Sequence, residues 1–196
     1  MSVLDEIVKA YDIRGTVPDQ LDGAVAYALG VGFAKLVDAD QILVARDMRE
    51  SGIELVAEFS RGVMDQGLDV VDLGLASTDM MYYAAGVLDA PGAMWTASHN
   101  PSQYNGVKFC LAGAKPVGID SGLAEIRATS STVLDGVGPR PTEHTGRRTE
   151  RDVLPDFVEH VLSFIDVDEL TPMRVVVDTA NGMGGLVVPL VFDPLP

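Results

Sequence analysis

The sequence predicts an α/β protein, a sheet covered by crossover helices, with the start of a second α/β unit behind it. Three observations carry this. Strand-like and helix-like segments alternate from Gln41 to Leu111, as a sheet with crossover helices requires. A helix with one apolar stripe precedes them. Beyond a Ser-, Thr-, Gly- and Pro-rich stretch the alternation starts again, with a helical pattern followed by a run of valines.

The elements follow in chain order. Leu21, Val25, Leu29, Phe33 and Leu36 recur at spacings of three and four, so residues 21–37 form a helix that covers a sheet face. Gln41–Ala45 is a short apolar run and reads as a buried strand leading into the charged loop Arg46–Arg49. Ser51-Gly-Ile-Glu54 fits the S-x-x-E capping box, which opens a helix running to about Gln66, where Gly67 supplies the permissive backbone of a C-terminal cap. Leu68–Leu73 is the next strand, and Thr78 with Asp79 opens a helix through Leu88. Pro91-Gly92 ends it. Strand Ala93–Thr96 delivers the chain to Ala97-Ser-His-Asn-Pro101, and strand Gly106–Leu111 follows after a turn. Thr129–Arg148 reads as a linker, which gives a first domain over 1–140, a linker over 141–150 and the start of a second domain over 151–196. In that last segment Asp152–Ile165 has helical periodicity, Met173–Asp178 reads as a strand, and Leu186–Pro196 is too short for a further crossover and strand.

Composition excludes several functions. The 196 residues are 47% hydrophobic and 22% charged, enough to bury a core. With 14 Lys and Arg against 29 Asp and Glu the formal charge is −15, which disfavours nucleic-acid and membrane partners. A single cysteine, Cys110, cannot form an internal disulfide, and it reads as a small buried apolar residue; a reducing cytoplasm is the expected compartment. The N-terminus lacks the pattern of a signal peptide, and no uncharged stretch approaches the roughly 18 residues that span a bilayer.

Chemistry concentrates in Thr96-Ala-Ser-His-Asn-Pro-Ser-Gln-Tyr-Asn-Gly-Val-Lys108. Asn-Pro and Asn-Gly are turn formers, so one reading is a hydrogen-bonded surface turn. A hydrolase triad fits poorly, because adjacent Ser98 and His99 point apart in extended chain and the Gly-x-Ser-x-Gly elbow is missing. A phosphoserine reading fits better. Ser98 stands at a strand end, and phosphoryl transfer depends mainly on positioning and electrostatics. An anionic sugar phosphate approaching a chain of charge −15 must meet a local cationic patch, for which Arg14 and Lys108, and then Arg46 or Arg49, are the candidates.

Thr96-Ala-Ser-His-Asn-Pro with Tyr104-Asn-Gly-Val-Lys108 resembles the active-site serine loop of the α-D-phosphohexomutases, the family of phosphomannomutase, phosphoglucomutase and phosphoglucosamine mutase. Ala10-Tyr-Asp-Ile-Arg-Gly15 is similar to that family's opening motif, Arg46-Asp-Met-Arg-Glu-Ser51 to its R-D-x-R-x-S segment, and Val175–Gly185 to the first strand and turn of its second domain. The resemblance implies a three-layer sandwich with a mixed, mostly parallel sheet. It implies that Ser98 is phosphorylated and donates to a hexose monophosphate, giving a bisphosphate that turns over in the site and returns its other phosphate, a net isomerisation. It further implies Lys108 as general acid/base, His99 as a neighbour that positions or shuttles protons, and Tyr11, Arg14, Asn100 and Lys108 as groups lining the substrate phosphate site. Lys108 acting as a base needs its pKa lowered from about 10.4, for which repulsion by Arg14 could serve. Mg²⁺ held partly by the Ser98 phosphate and a hexose 1,6-bisphosphate activator are the implied cofactors.

Leu73–Thr78 and Gly113–Gly118 resemble bacterial phosphomannomutases, so mannose 1-phosphate and mannose 6-phosphate are the expected pair. A noncatalytic sugar-phosphate-binding module on the same scaffold is the alternative. The family's Asp-Gly-Asp-x-Asp-Arg metal loop and its later sugar- and phosphate-binding loops do not occur, so the chain is expected to be an N-terminal piece, inactive alone. Gly182-Met-Gly184 fails as a dinucleotide fingerprint because Val187 takes the third glycine's place, leaving a tight strand-to-helix turn. Met80–Tyr83 is expected to pack on a helix face, and His144 and His160 to be solvated.

Overall fold

The computed structural model describes residues 2–196. Its first element was not evident in the sequence: Ser2 caps a short helix α1 (Val3–Ile7), with Ser2 Oγ accepting from the Leu4 N–H and the Ser2 N–H donating to Asp5 at 3.0 Å. This is a capping box, and the one read at Ser51 is corrected. Helix α3 (Ser51–Met64) starts after Glu50 in helical backbone without a side-chain cap, and Ser51 Oγ instead accepts from Asn105 Nδ2 at 2.9 Å. Between them lie β1 (Ile13–Thr16), α2 (Gly23–Leu36) and β2 (Gln41–Arg46). Then come β3 (Asp69–Leu75), α4 (Thr78–Val87) capped by Ser77, β4 (Gly92–Trp95), β5 (Tyr104–Leu111), β6 (Lys115–Pro116) and α5 (Leu123–Leu134). Strand β7 (Arg148–Glu150) and helices α6 (Leu154–Leu162) and α7 (Gly184–Phe192) complete the order.

The strands form one sheet in the order β1-β5-β4-β2-β3-β7, with β6 added on β5. The pairs β4–β2, β2–β3 and β3–β7 are parallel, and β5 is antiparallel to β1, β4 and β6, so six strands point one way and β5 opposes them. The side-chain alternation of the strands separates two cores. Ile42 and Val44 of β2 pack with Leu29, Phe33 and Phe59 of α2 and α3, whereas Leu43 and Ala45 pack with Met80, Met81 and Ala84 of α4 and with Phe157 of α6. Helices on both faces make the expected three layers. On one face α2 and α3 meet backbone to backbone: a Cβ at Gly30 would fall on the Phe59 carbonyl, and one at Gly62 on that of Tyr27. Phe33 and Phe109 lie 4.5 Å apart between ring centroids, and Phe59 meets Trp95 edge to face at 5.6 Å.

Two further expectations are corrected. The stretch 129–148 is not a continuous linker, because α5 runs to Leu134 and Arg148 already pairs with Val70. Met173–Asp178 is not a strand: Val176 is 92% exposed and Val175 and Val177 are about half exposed, with no strand among the described residues to pair with. A strand without a ladder leaves its backbone groups to water and gains nothing from its valines. His144 and His160 are exposed, and Met80 and Met81 are buried, as read.

Cys110 on β5 is 1% exposed, its thiol 3.7 Å from the Gly92 carbonyl. Burial pushes the thiol pKa up to about 11. A raised value means the folded state holds the proton: its contribution to stability is complete below the unfolded thiol's pKa and is lost as pH rises through about 11. A disulfide reagent used at about pH 8 is expected to titrate no thiol in the folded protein and one after denaturation. Rapid reaction of the folded protein would contradict this burial.

Candidate active site

Chain leaving β4 turns through residues 96–103 and returns as the antiparallel β5, so the serine loop is the connection of a hairpin. Thr96 and Ala97 are buried, and Ser98 and His99 emerge into solvent. Ser98 has φ +55°, the left-handed region, which costs a residue with a Cβ about 1–2 kcal/mol. Neighbouring groups hold it there. The Ser98 N–H donates to Thr96 Oγ1 at 2.9 Å, and Thr96 Oγ1 donates to Asp47 Oδ2 at 2.7 Å. The Ser98 carbonyl accepts from Arg49 Nη2 at 2.8 Å.

Arg49 is 9% exposed and binds much of this loop. Nη2 also donates to the Asn100 carbonyl at 2.7 Å, Nη1 donates to the carbonyls of Pro101 and Tyr104 at 2.9 Å, and Nε donates to Asp47 Oδ2 at 3.2 Å. Sequence reasoning offered Arg46 and Arg49 as cations for a phosphate. For Arg49 this is corrected, because its N–H groups are already engaged; Arg46 is half-buried, with Nη1 donating to the Asp47 carbonyl at 3.2 Å.

Strands β1 and β5 carry the cations. Arg14 pairs with Gly106 in register, its Nη1 donates to Asn100 Oδ1 at 2.7 Å, and its Nη2 lies 2.7 Å from Asp12 Oδ2. Lys108 Nζ lies 3.3 Å from the same Asp12 oxygen. Asp12 thus joins Arg14 to Lys108, and the repulsion expected between the two cations meets an intervening carboxylate. Sequence reasoning missed Asp12. The signal was available, since Asp12 and Arg14 stand two apart and share a face once 13–16 is a strand.

Ser98 Oγ and His99 Nδ1 are 3.3 Å apart. The expectation that neighbouring side chains point apart assumed extended backbone, and the left-handed turn at Ser98 removes it. No carboxylate among the described residues hydrogen-bonds or ion-pairs with His99, so a triad still lacks its orienting acid. Tyr11 is 78% exposed and lines a separate cavity of about 230 Å³ with Pro116 and Gly118, so it is not grouped with Ser98. Ser98 itself lines a cavity of about 160 Å³ with Asp47, Ser77, Thr96, Gly182 and Met183. Beside it, a larger one of about 980 Å³ is lined by Glu50, Asn100, Gln103 and Asn181 among others. Gly182 closes a tight turn before α7, its N–H donating to the Thr179 carbonyl at 2.8 Å; the turn is as read for this glycine-rich segment, but no strand leads into it.

Comparison with known proteins gives a consistent result. The family described as phosphoglucomutase/phosphomannomutase, α/β/α domain I, matches residues 5–133. A protein named phosphohexose mutases from Xanthomonas campestris pv. campestris is 38% identical over 190 residues, covering 96% of this chain and 41% of that protein. A phosphomannomutase from Vibrio cholerae is 35% identical over 188 residues, covering 92% of this chain and 39% of the relative. The crystal structure of a phosphoglucomutase/phosphomannomutase family protein from Burkholderia thailandensis superposes with a TM-score of 0.78 at 32% identity, over 95% of this chain and 41% of that one. The chain spans about two fifths of the length of the relatives it matches.

Proposed function

The chain belongs to the phosphoglucomutase/phosphomannomutase family, and on that premise we propose that Ser98 is the phosphoryl carrier of a phosphohexose mutase acting on mannose 1-phosphate and mannose 6-phosphate. The observation that carries this is an exposed hydroxyl on a left-handed backbone whose N–H and carbonyl are both held from within the protein. In the proposed transfer the bond from phosphorus to Ser98 Oγ breaks as a bond forms to a sugar hydroxyl. The proton of that hydroxyl leaves to Lys108 in its neutral amine form, the ammonium so produced being met by Asp12 at 3.3 Å, and Ser98 Oγ regains a proton through His99, 3.3 Å away. The hexose bisphosphate so formed then returns its other phosphate to Ser98. Arg14, Asn100 and Lys108 are proposed to receive the substrate phosphate, without Tyr11, which faces a separate cavity, and a hexose 1,6-bisphosphate is proposed to prime the serine. Mannose is favoured by the resemblance of Leu73–Thr78 and Gly113–Gly118 and by relatives named phosphomannomutase; glucose or glucosamine phosphates are the alternatives.

The residues present do not make up a site for Mg²⁺. Ser98 would offer one oxygen through its phosphate, and among the described residues no group of three or more His, Cys, Asp or Glu is placed to hold a metal ion. No step is therefore routed through it, and steady turnover is not expected of these 196 residues alone. Among the described residues no helix is long and apolar enough to cross a membrane, and a cytoplasmic small-molecule enzyme is the reading we propose.

The test is covalent. After incubation with glucose 1,6-bisphosphate, intact mass and phosphopeptide mapping are expected to place a single phosphate on Ser98. An unmodified chain would favour the noncatalytic sugar-phosphate-binding module, and phosphate on another residue would remove Ser98 from the mechanism.

A further inference from the structure

We propose that Arg49 is a positioning residue for the Ser98 hydroxyl, acting by fixing the left-handed backbone of the loop and not by binding the phosphate of the substrate. This rests on the reading of Ser98 as phosphoryl carrier. A guanidinium has five N–H donors, and that of Arg49 makes five hydrogen bonds: one to Asp47 Oδ2 and four to the carbonyls of Ser98, Asn100, Pro101 and Tyr104. None is left for a phosphate. The side chain is buried, and its charge is balanced by Asp47, itself 4% exposed.

Asp47 closes a ring around the serine. The Ser98 N–H reaches Asp47 through the Thr96 hydroxyl, and the Ser98 carbonyl reaches the same carboxylate through Arg49. Both peptide groups flanking the strained residue are therefore set by one buried carboxylate. In the same segment Ser51 accepts from Asn105, at the start of the strand that leaves the loop. Arg46–Ser51 grips the serine loop from Thr96 to Asn105. Lysine at position 49 would keep the charge, but its ammonium has three donors at one point and cannot span carbonyls that a planar fork reaches on two sides.

Arg49→Lys is expected to slow phosphate uptake by Ser98 from glucose 1,6-bisphosphate on the order of 10²-fold at saturating donor, the loss that a displacement of about 1 Å produces. The donor concentration for half-saturation is expected to stay within about threefold, because the residue contacts no donor phosphate. Hydrogen exchange of the amides from Ser98 to Tyr104 is expected to quicken about tenfold or more, with the strands outside the loop unchanged. Thr96→Val, which removes only the hydroxyl from the other side of the ring, is expected to give the same pattern more weakly, and it stands in if Arg49→Lys does not fold. A rise in half-saturation matching the fall in rate would overturn the proposal, since Arg49 would then be holding the donor. Unchanged uptake with unchanged exchange would overturn it as well. If wild-type protein takes no phosphate, the mutase reading falls, and the exchange result alone decides whether Arg49 is the clamp.

Discussion

Ser98→Ala is expected to take up no phosphate from a hexose bisphosphate, and a full-length family protein carrying it to lose turnover on the order of 10⁴-fold or more, as removal of a covalent nucleophile does elsewhere. Folding is expected to be spared. Among the described residues the Ser98 side chain has one hydrogen-bond partner, its exposed neighbour His99 at 3.3 Å, while the N–H and carbonyl that anchor the loop belong to the backbone and remain in alanine. A change at such an exposed position is within about 0.5 kcal/mol, which moves the melting temperature of a domain this size by about 1–2 °C. Mass spectrometry with thermal unfolding on one sample checks both halves. Phosphate still appearing in the variant would transfer the role to another hydroxyl, and a large drop in melting temperature would make Ser98 a structural residue.

The second large effect is on stability. Phe59→Ala is expected to cost about 3–5 kcal/mol and to lower the melting temperature by about 10 °C. Phe59 is fully buried on α3, and its ring meets Phe33 of α2 at 6.4 Å, Trp95 of β4 at 5.6 Å and Phe109 of β5 at 6.0 Å. Its removal leaves a void among four elements, two of which carry the ends of the serine loop. The backbone contacts of Gly30 and Gly62 keep α2 and α3 from collapsing into that void. Trp95, the single tryptophan, reports the change, and its emission is expected to shift to the red. A loss below about 1 kcal/mol would mean that these rings do not form one core.

The middle of the sheet was legible because buried parallel strands are short apolar runs, as in Gln41–Arg46, and because the helices between them keep an apolar stripe. The edges were not. Ile13–Thr16 carries an arginine and a glycine in four residues and is held as a strand by pairing with β5 and by the burial of Ile13. Thr129–Thr132 reads as loop by composition, yet it lies inside α5, where Ser130 Oγ is buried 2.7 Å from the Ile126 carbonyl and 3.0 Å from the Ala28 carbonyl of α2. Tertiary contact there outweighs propensity. In the site, the serine loop was legible as a string of reactive side chains. The duty of Arg49 was not, since its partners are carbonyls, which any sequence possesses, and the spacing of Asp12 from Arg14 carried meaning only once 13–16 was known to be a strand.

Because both ends of the serine loop are stitched into adjacent, oppositely directed strands, Ser98 Oγ is a fixed post and not a swinging arm. On the proposed chemistry, a sugar must be phosphorylated at one end and relieved of phosphate at the other by that same stationary atom. It is then the hexose that must somersault between the two half-reactions, so the moving part of such a catalyst is its cargo.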